Sequence, residues 1–83
     1  MDEFTRPSDE EIKNWQTRLI GKYLLESDEQ FVGLAPEQIV RSSAIPKPNQ
    51  ILPPGAPQIR NYLPGRMNVF LDDNKKITQV YFG

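Results

Sequence analysis

The sequence predicts an α+β fold: a helix or helices packed on one face of a small mixed β-sheet, with a long extended loop joining two parallel strands and a C-terminal hairpin after it. Three observations predict it. Ile12, Trp15, Leu19 and Ile20 recur at helical spacing behind a serine, which makes one apolar helix face. Near the other end, Met67, Val69 and Leu71 alternate with Asn68 and Phe70, the period of a half-buried strand. Between them, six of the eight prolines fall from Pro46 to Pro64, where fixed φ angles and missing N–H donors oppose helix and favour extended backbone. A chain of 83 residues has room for one modest core and not two. Residues 1–83 are therefore read as a single domain, with residues 1–7 as a flexible N-terminal tail.

Taken in order, Pro7-Ser8-Asp9-Glu10-Glu11 reads as a helix start. Ser8 is placed to cap, Glu11 follows three residues later as in a capping box, and the acids complement the helix dipole. The helix is expected from Asp9 to Ile20, with Gly21 ending it or marking the turn beyond. Ser27-Asp28-Glu29-Gln30 repeats the start pattern, and Ala35 to Arg41 suits a second short helix with Pro36 in its first turn. Phe31, Leu34, Ile39 and Val40 would then form the buried side, and Gly33 is a candidate break. Gln50-Ile51-Leu52 reads as one short strand and residues 66–72 as another. Asp72-Asp73-Asn74-Lys75-Lys76 is a polar turn, and Ile77 to Phe82 closes the hairpin.

Composition removes several classes of function. There is no Cys and no His, so disulfide support, thiolate chemistry, the usual general base and the usual zinc ligand are all missing. An enzyme is disfavoured, and neither metal nor cofactor is implied. Met1 to Thr5 carries acids and no apolar run, and no stretch approaches membrane-spanning length. A cytoplasmic protein is favoured, with a secreted mature chain left open and a monomer expected. Net charge is −1, which argues against a dedicated nucleic-acid binder. Tyr62 and Tyr81 lack the basic stripe that base stacking requires. Charge is nevertheless uneven: residues 1–40 hold nine acids against four bases, while residues 42–71 have no acid but include Lys47, Arg60 and Arg66. A chance shift and a partner with an acidic pocket both fit that pattern. Trp15 reads as core, and Asp72 and Asp73 as a solvated hairpin tip flanked by lysines.

The segment between the two strands holds Pro53, Pro54, Gly55, Pro57, Pro64 and Gly65. A connection this long without secondary structure is uncommon in a small domain and is usually functional or disordered. Proteases bind substrates as extended strands and read the residue before the scissile bond in a primary pocket. Within Pro57, Gln58, Ile59, Arg60, Asn61, Tyr62 and Leu63, Arg60 suits a pocket with a carboxylate floor, and Ile59 and Tyr62 suit apolar contacts. Flanking prolines restrict the unbound loop and lower the entropy cost of binding. A loop anchored at both ends also keeps the newly released amine beside the acyl group, poised to religate.

Several motifs carry a resemblance. Leu19-Ile20-Gly21-Lys22, Leu52-Pro53-Pro54-Gly55, Arg66-Met67-Asn68-Val69 and Ile77-Thr78-Gln79-Val80 with Gly83 resemble, in order and spacing, landmarks of the potato inhibitor I family of serine-protease inhibitors. Its fungal and bacterial relatives, peptidase inhibitor family 78, are the nearest in motif. The first two motifs match Leu-Val-Gly-Lys and Leu-Pro-Val-Gly of the potato group; the third matches Arg-Leu-Asn-Val of the relatives. The resemblance spans residues 19–83. It implies inhibition by substrate-like binding, with Arg60 as specificity residue, Arg60-Asn61 as scissile bond and Arg66 as internal loop brace. The implied partner is a trypsin-like serine protease, or a subtilisin-like one that prefers arginine. Where the potato group has Thr, an acid and two arginines around the loop, this chain has Ile59, Asn61, Arg66 and Asn68. A neutral partner makes the weaker hydrogen bond. The alternative is a non-inhibitory interaction module that uses the same loop or the proline-rich segment 45–54.

Overall fold

The computed structural model describes residues 6–26, 29–30, 32–57 and 61–83. Ser8 opens helix α1, Asp9–Leu19: its Oγ accepts from the Glu11 N–H at 3.2 Å and lies 3.3 Å from Glu11 Oε1, and Asp9, Glu10 and Glu11 fill the first turn. An acid-rich first turn satisfies both the free N–H groups and the dipole. At this entry Pro7 is buried and Arg6 pairs with Asp9; residues 1–5 of the expected tail lie outside the described residues. The helix is one residue shorter than its apolar spacing suggests. Ile20 is the C-cap with extended backbone and is 44% exposed, because Gly21 turns the chain away at φ 93°, a conformation that costs a glycine little.

The next segment departs most from expectation. Tyr23–Leu25 forms a strand, β1, and Ile39–Arg41 forms β2, the two pairing in parallel with Tyr23 opposite Ile39. The second helix expected over Ala35–Arg41 is thus limited to one 3₁₀ turn, Pro36–Gln38. Pro36 does start a turn, as its fixed φ favours. The β-branched pair Ile39 and Val40 then follows its strand preference once β1 offers a partner. Of the segment expected to start another helix, Glu29 and Gln30 are not helical, while Ser27, Asp28 and Phe31 lie outside the described residues.

Strands β3 (Asn49–Leu52), β4 (Met67–Leu71) and β5 (Ile77–Phe82) form a mixed sheet in that order. β3 and β4 are parallel, with Gln50 opposite Asn68; β4 and β5 are an antiparallel hairpin, with Val69 opposite Val80. A parallel pair requires a crossover, and residues 53–66 provide it. The hairpin turn is held by Asp72, whose Oδ1 accepts from the Asn74 and Lys76 N–H groups at 2.8 and 2.9 Å. β1 joins the start of β5 through Ile77 N–H to Lys22 O and Leu24 N–H to Lys75 O.

Leu19, Leu24, Ile45, Met67, Val69, Ile77 and Val80 form the core, with Trp15, Val40 and Phe82 packed against it. Each fully buried aliphatic side chain contributes about 1.5–3 kcal/mol by leaving water. Gln16 fixes the helix on the sheet by donating from Nε2 to Val80 O at 2.9 Å. No described helix is long and apolar enough to cross a membrane.

Candidate functional site

The crossover between β3 and β4 begins and ends in a Pro-Gly turn. At its entry Ala56 N–H donates to Pro53 O at 3.0 Å around Pro54 and Gly55, and Gly55 has φ 79°. Proline followed by a positive-φ glycine is the pattern of a type II turn. At its exit Arg66 N–H donates to Leu63 O at 2.9 Å around Pro64 and Gly65. The span between the turns is therefore delivered from two fixed points on neighbouring strands.

The exit is held from beneath as well. Arg66 is 5% exposed, and its side chain bridges loop and sheet: Nη2 donates to the Asn61 carbonyl and Nε to the Gly83 carbonyl, the latter at 3.0 Å. Gly83 N–H returns a bond to Arg66 O at 3.0 Å. Asn68, 1% exposed, completes the cluster. Its Nδ2 donates to Gly83 O at 2.9 Å and lies 3.4 Å from Tyr81 O, while its Oδ1 accepts from Gln50 Nε2 at 2.9 Å. The alternation of β4 places Asn68 on the face away from the core, where a polar residue is expected to meet solvent. The C-terminal residues and Gln50 cover it instead. Among the described residues no buried side-chain nitrogen or oxygen lacks a partner, so this polar cluster carries no desolvation penalty of the kind an orphaned group imposes.

Of the residues singled out by sequence, Pro57, Asn61 and Tyr62 are exposed and Leu63 is half-buried. Tyr62, 68% exposed, lies so near Gly83 that a methyl group added there would meet its ring at 3.5 Å. Gln58, Ile59 and Arg60 lie outside the described residues. Asn61 faces Arg66 through its backbone carbonyl, so the amide in place of an acid does not break that link. Sequence reasoning missed Gln50, Asn68 and Gly83 as supporting residues. The signal available was register: once β3, β4 and β5 are aligned, Gln50, Asn68 and Tyr81 stand in one row across the sheet.

Among the described residues there is no group of three or more acidic, His or Cys side chains arranged to hold a metal ion. Compared with protein-family models, curated proteins and solved structures, the chain gives no match. The likeness to the potato inhibitor I family rests on the motifs quoted above.

Proposed function

We propose that this protein inhibits serine proteases by offering the 53–66 crossover to the active site as a substrate that is cut slowly and resealed. The observation that carries the reading is the buried Arg66, bonded at once to the Asn61 carbonyl and to Gly83 O on the sheet. In this reading Arg60 fills the primary pocket, with Ile59 and Tyr62 flanking it. The protease serine adds to the Arg60 carbonyl carbon, and the Arg60–Asn61 bond breaks with a proton passing to the Asn61 nitrogen. Asn61, tied to Arg66 and closed behind by the Leu63–Arg66 turn, stays beside the acyl group. Religation then competes with hydrolysis, since an amine kept in place acts at a high effective concentration. Arginine at the specificity position directs the loop to proteases with an acidic pocket floor.

The same geometry gives less support to a non-inhibitory module that binds through residues 45–54. Ile45 and Leu52 are buried, and Asn49–Leu52 is committed to β3, so little of that stretch is available as a proline-rich ligand. Titration of trypsin, chymotrypsin and subtilisin with the protein and with Arg60→Ala tests the proposal. Trypsin should lose activity stoichiometrically, and Arg60→Ala should bind it more weakly by roughly a hundredfold or more, the loss of a buried ion pair at an interface centre. Full activity of every protease in excess protein would refute inhibition. Equal potency of Arg60→Ala would refute the site.

A further inference from the structure

A second surface owes nothing to the loop. Among the described residues β2 pairs with β1 on one side alone, and a groove of about 310 Å³ runs between β2 and the last turns of α1. Its floor is apolar, from Trp15, Ile39 and Val40, and its rim is cationic, from Arg18, Lys22 and Arg41; among the described residues no Asp or Glu lines it. Each cation is held by a neutral group. The Arg18 guanidinium lies 4.7 Å from the Trp15 ring centre, Lys22 Nζ donates to Glu37 O at 3.0 Å, and Arg41 donates to the carbonyls of Glu26 and Glu29. The ion pairs among the described residues, Arg6–Asp9 and Lys75–Glu29, stand elsewhere. A ring face and a carbonyl orient a cation without neutralising it, so Arg18 and Lys22 keep their charge at the rim, while Arg41 also feels the Glu29 carboxylate. The groove on the other side of β1 is acidic instead, lined by Glu26, Glu29, Asp72 and Asp73, of which Glu29 pairs with Lys75 and Asp72 holds the hairpin turn.

We propose that the α1–β2 groove docks an extended acidic peptide segment of a partner protein. An apolar side chain of the partner covers Trp15, Ile39 and Val40. Flanking carboxylates pair with Arg18 and Lys22, and the partner backbone lies along the outer side of β2. Strand addition supplies affinity through the main chain, and the charges select the partner. The positive rim also accelerates encounter at low salt.

Trp15 is the sole tryptophan, so its emission reports occupancy directly. The probe is a blocked hexapeptide with two glutamates on each side of a Val-Leu pair, beside a control with lysines in place of the glutamates. The acidic peptide should shift Trp15 emission saturably and bind more weakly as salt rises; the lysine peptide should not bind. Arg18→Glu alone, and Arg18→Glu with Lys22→Gln, should each weaken binding by roughly tenfold or more, with unchanged circular dichroism. Arg18 is exposed, so the single variant keeps the test valid if the double variant unfolds. No saturable shift, equal binding of both peptides, or unchanged binding by Arg18→Glu would overturn the proposal. So would tighter binding to vesicles of phosphatidylcholine and phosphatidylserine in equal parts, which would assign the groove to membranes. Loss of protease inhibition in Arg60→Ala would leave this result untouched.

Discussion

Two parallel strand pairs sit in this small molecule, and in each an arginine binds carbonyl oxygens of the crossover. Arg41, at the end of β2, reaches the carbonyls of Glu26 and Glu29. Arg66, just before β4, reaches that of Asn61. The donors are alike and the surroundings are not. Arg41 is half-buried and works beside the surface pair Lys75–Glu29, at 2.8 Å. Arg66 is buried and shares Gly83 with the buried Asn68. Water can replace a lost donor at the first site. At the second the donors themselves are buried, so bonds lost on the sheet side are replaced by water less readily. Burial, not the number of hydrogen bonds, separates the two arginine sites.

That contrast can be broken by substitution. Arg66→Ala should have the largest effect, destabilising by about 2–3 kcal/mol as the Asn61 carbonyl loses its Arg66 bond and Gly83 O keeps only the one from Asn68, measured by urea denaturation. If the inhibitory reading holds, the same variant should be hydrolysed by trypsin at least about tenfold faster. Asn68→Leu keeps the branched shape but removes one of the two side-chain donors to Gly83 O and the acceptor of the Gln50 Nε2 bond. It should cost about 1–2 kcal/mol and speed loop cleavage less than Arg66→Ala does. Arg41→Ala should cost no more than about 1 kcal/mol, with loop cleavage unchanged. An Arg41→Ala loss equal to that of Arg66→Ala would end the comparison.

The smallest expected effect is a pH dependence at the first crossover. Glu29 is held below the ordinary glutamate range, first by the hydrogen bond from Lys75 and then by the Glu26 N–H. A depressed folded value means the contribution is present at neutral pH and above the unfolded value. It disappears as pH falls through the lowered folded value. Glu29→Gln should lower the melting temperature slightly at neutral pH and not at strongly acidic pH. A constant difference across that range would contradict the assignment.

Much of the fold was legible where local chemistry decides. The Ser8–Glu11 cap, the period of β4 and the Asp72 turn each read directly from residue types. The Tyr23–Leu25 strand was not legible, because three apolar residues after a glycine show no period. Ile39–Arg41 was misread for a related reason: Pro36 gives a sound local helix start, and only β1, distant in sequence, turns the residues after it into strand. At the candidate site, Arg66 stood out as a charge in an acid-free stretch. Asn68 did not, since its burial depends on Gln50 from β3 and on residues 81–83 closing over it from β5.

Mass spectrometry of the protein incubated with catalytic amounts of trypsin reads the fate of the Arg60–Asn61 bond itself. A slowly resealed loop gives a single cut at Arg60–Asn61, fragments that remain associated, and one final ratio of intact to clipped protein whether the reaction starts from intact or clipped material. Complete digestion at several sites, with trypsin activity returning as the protein disappears, would contradict it.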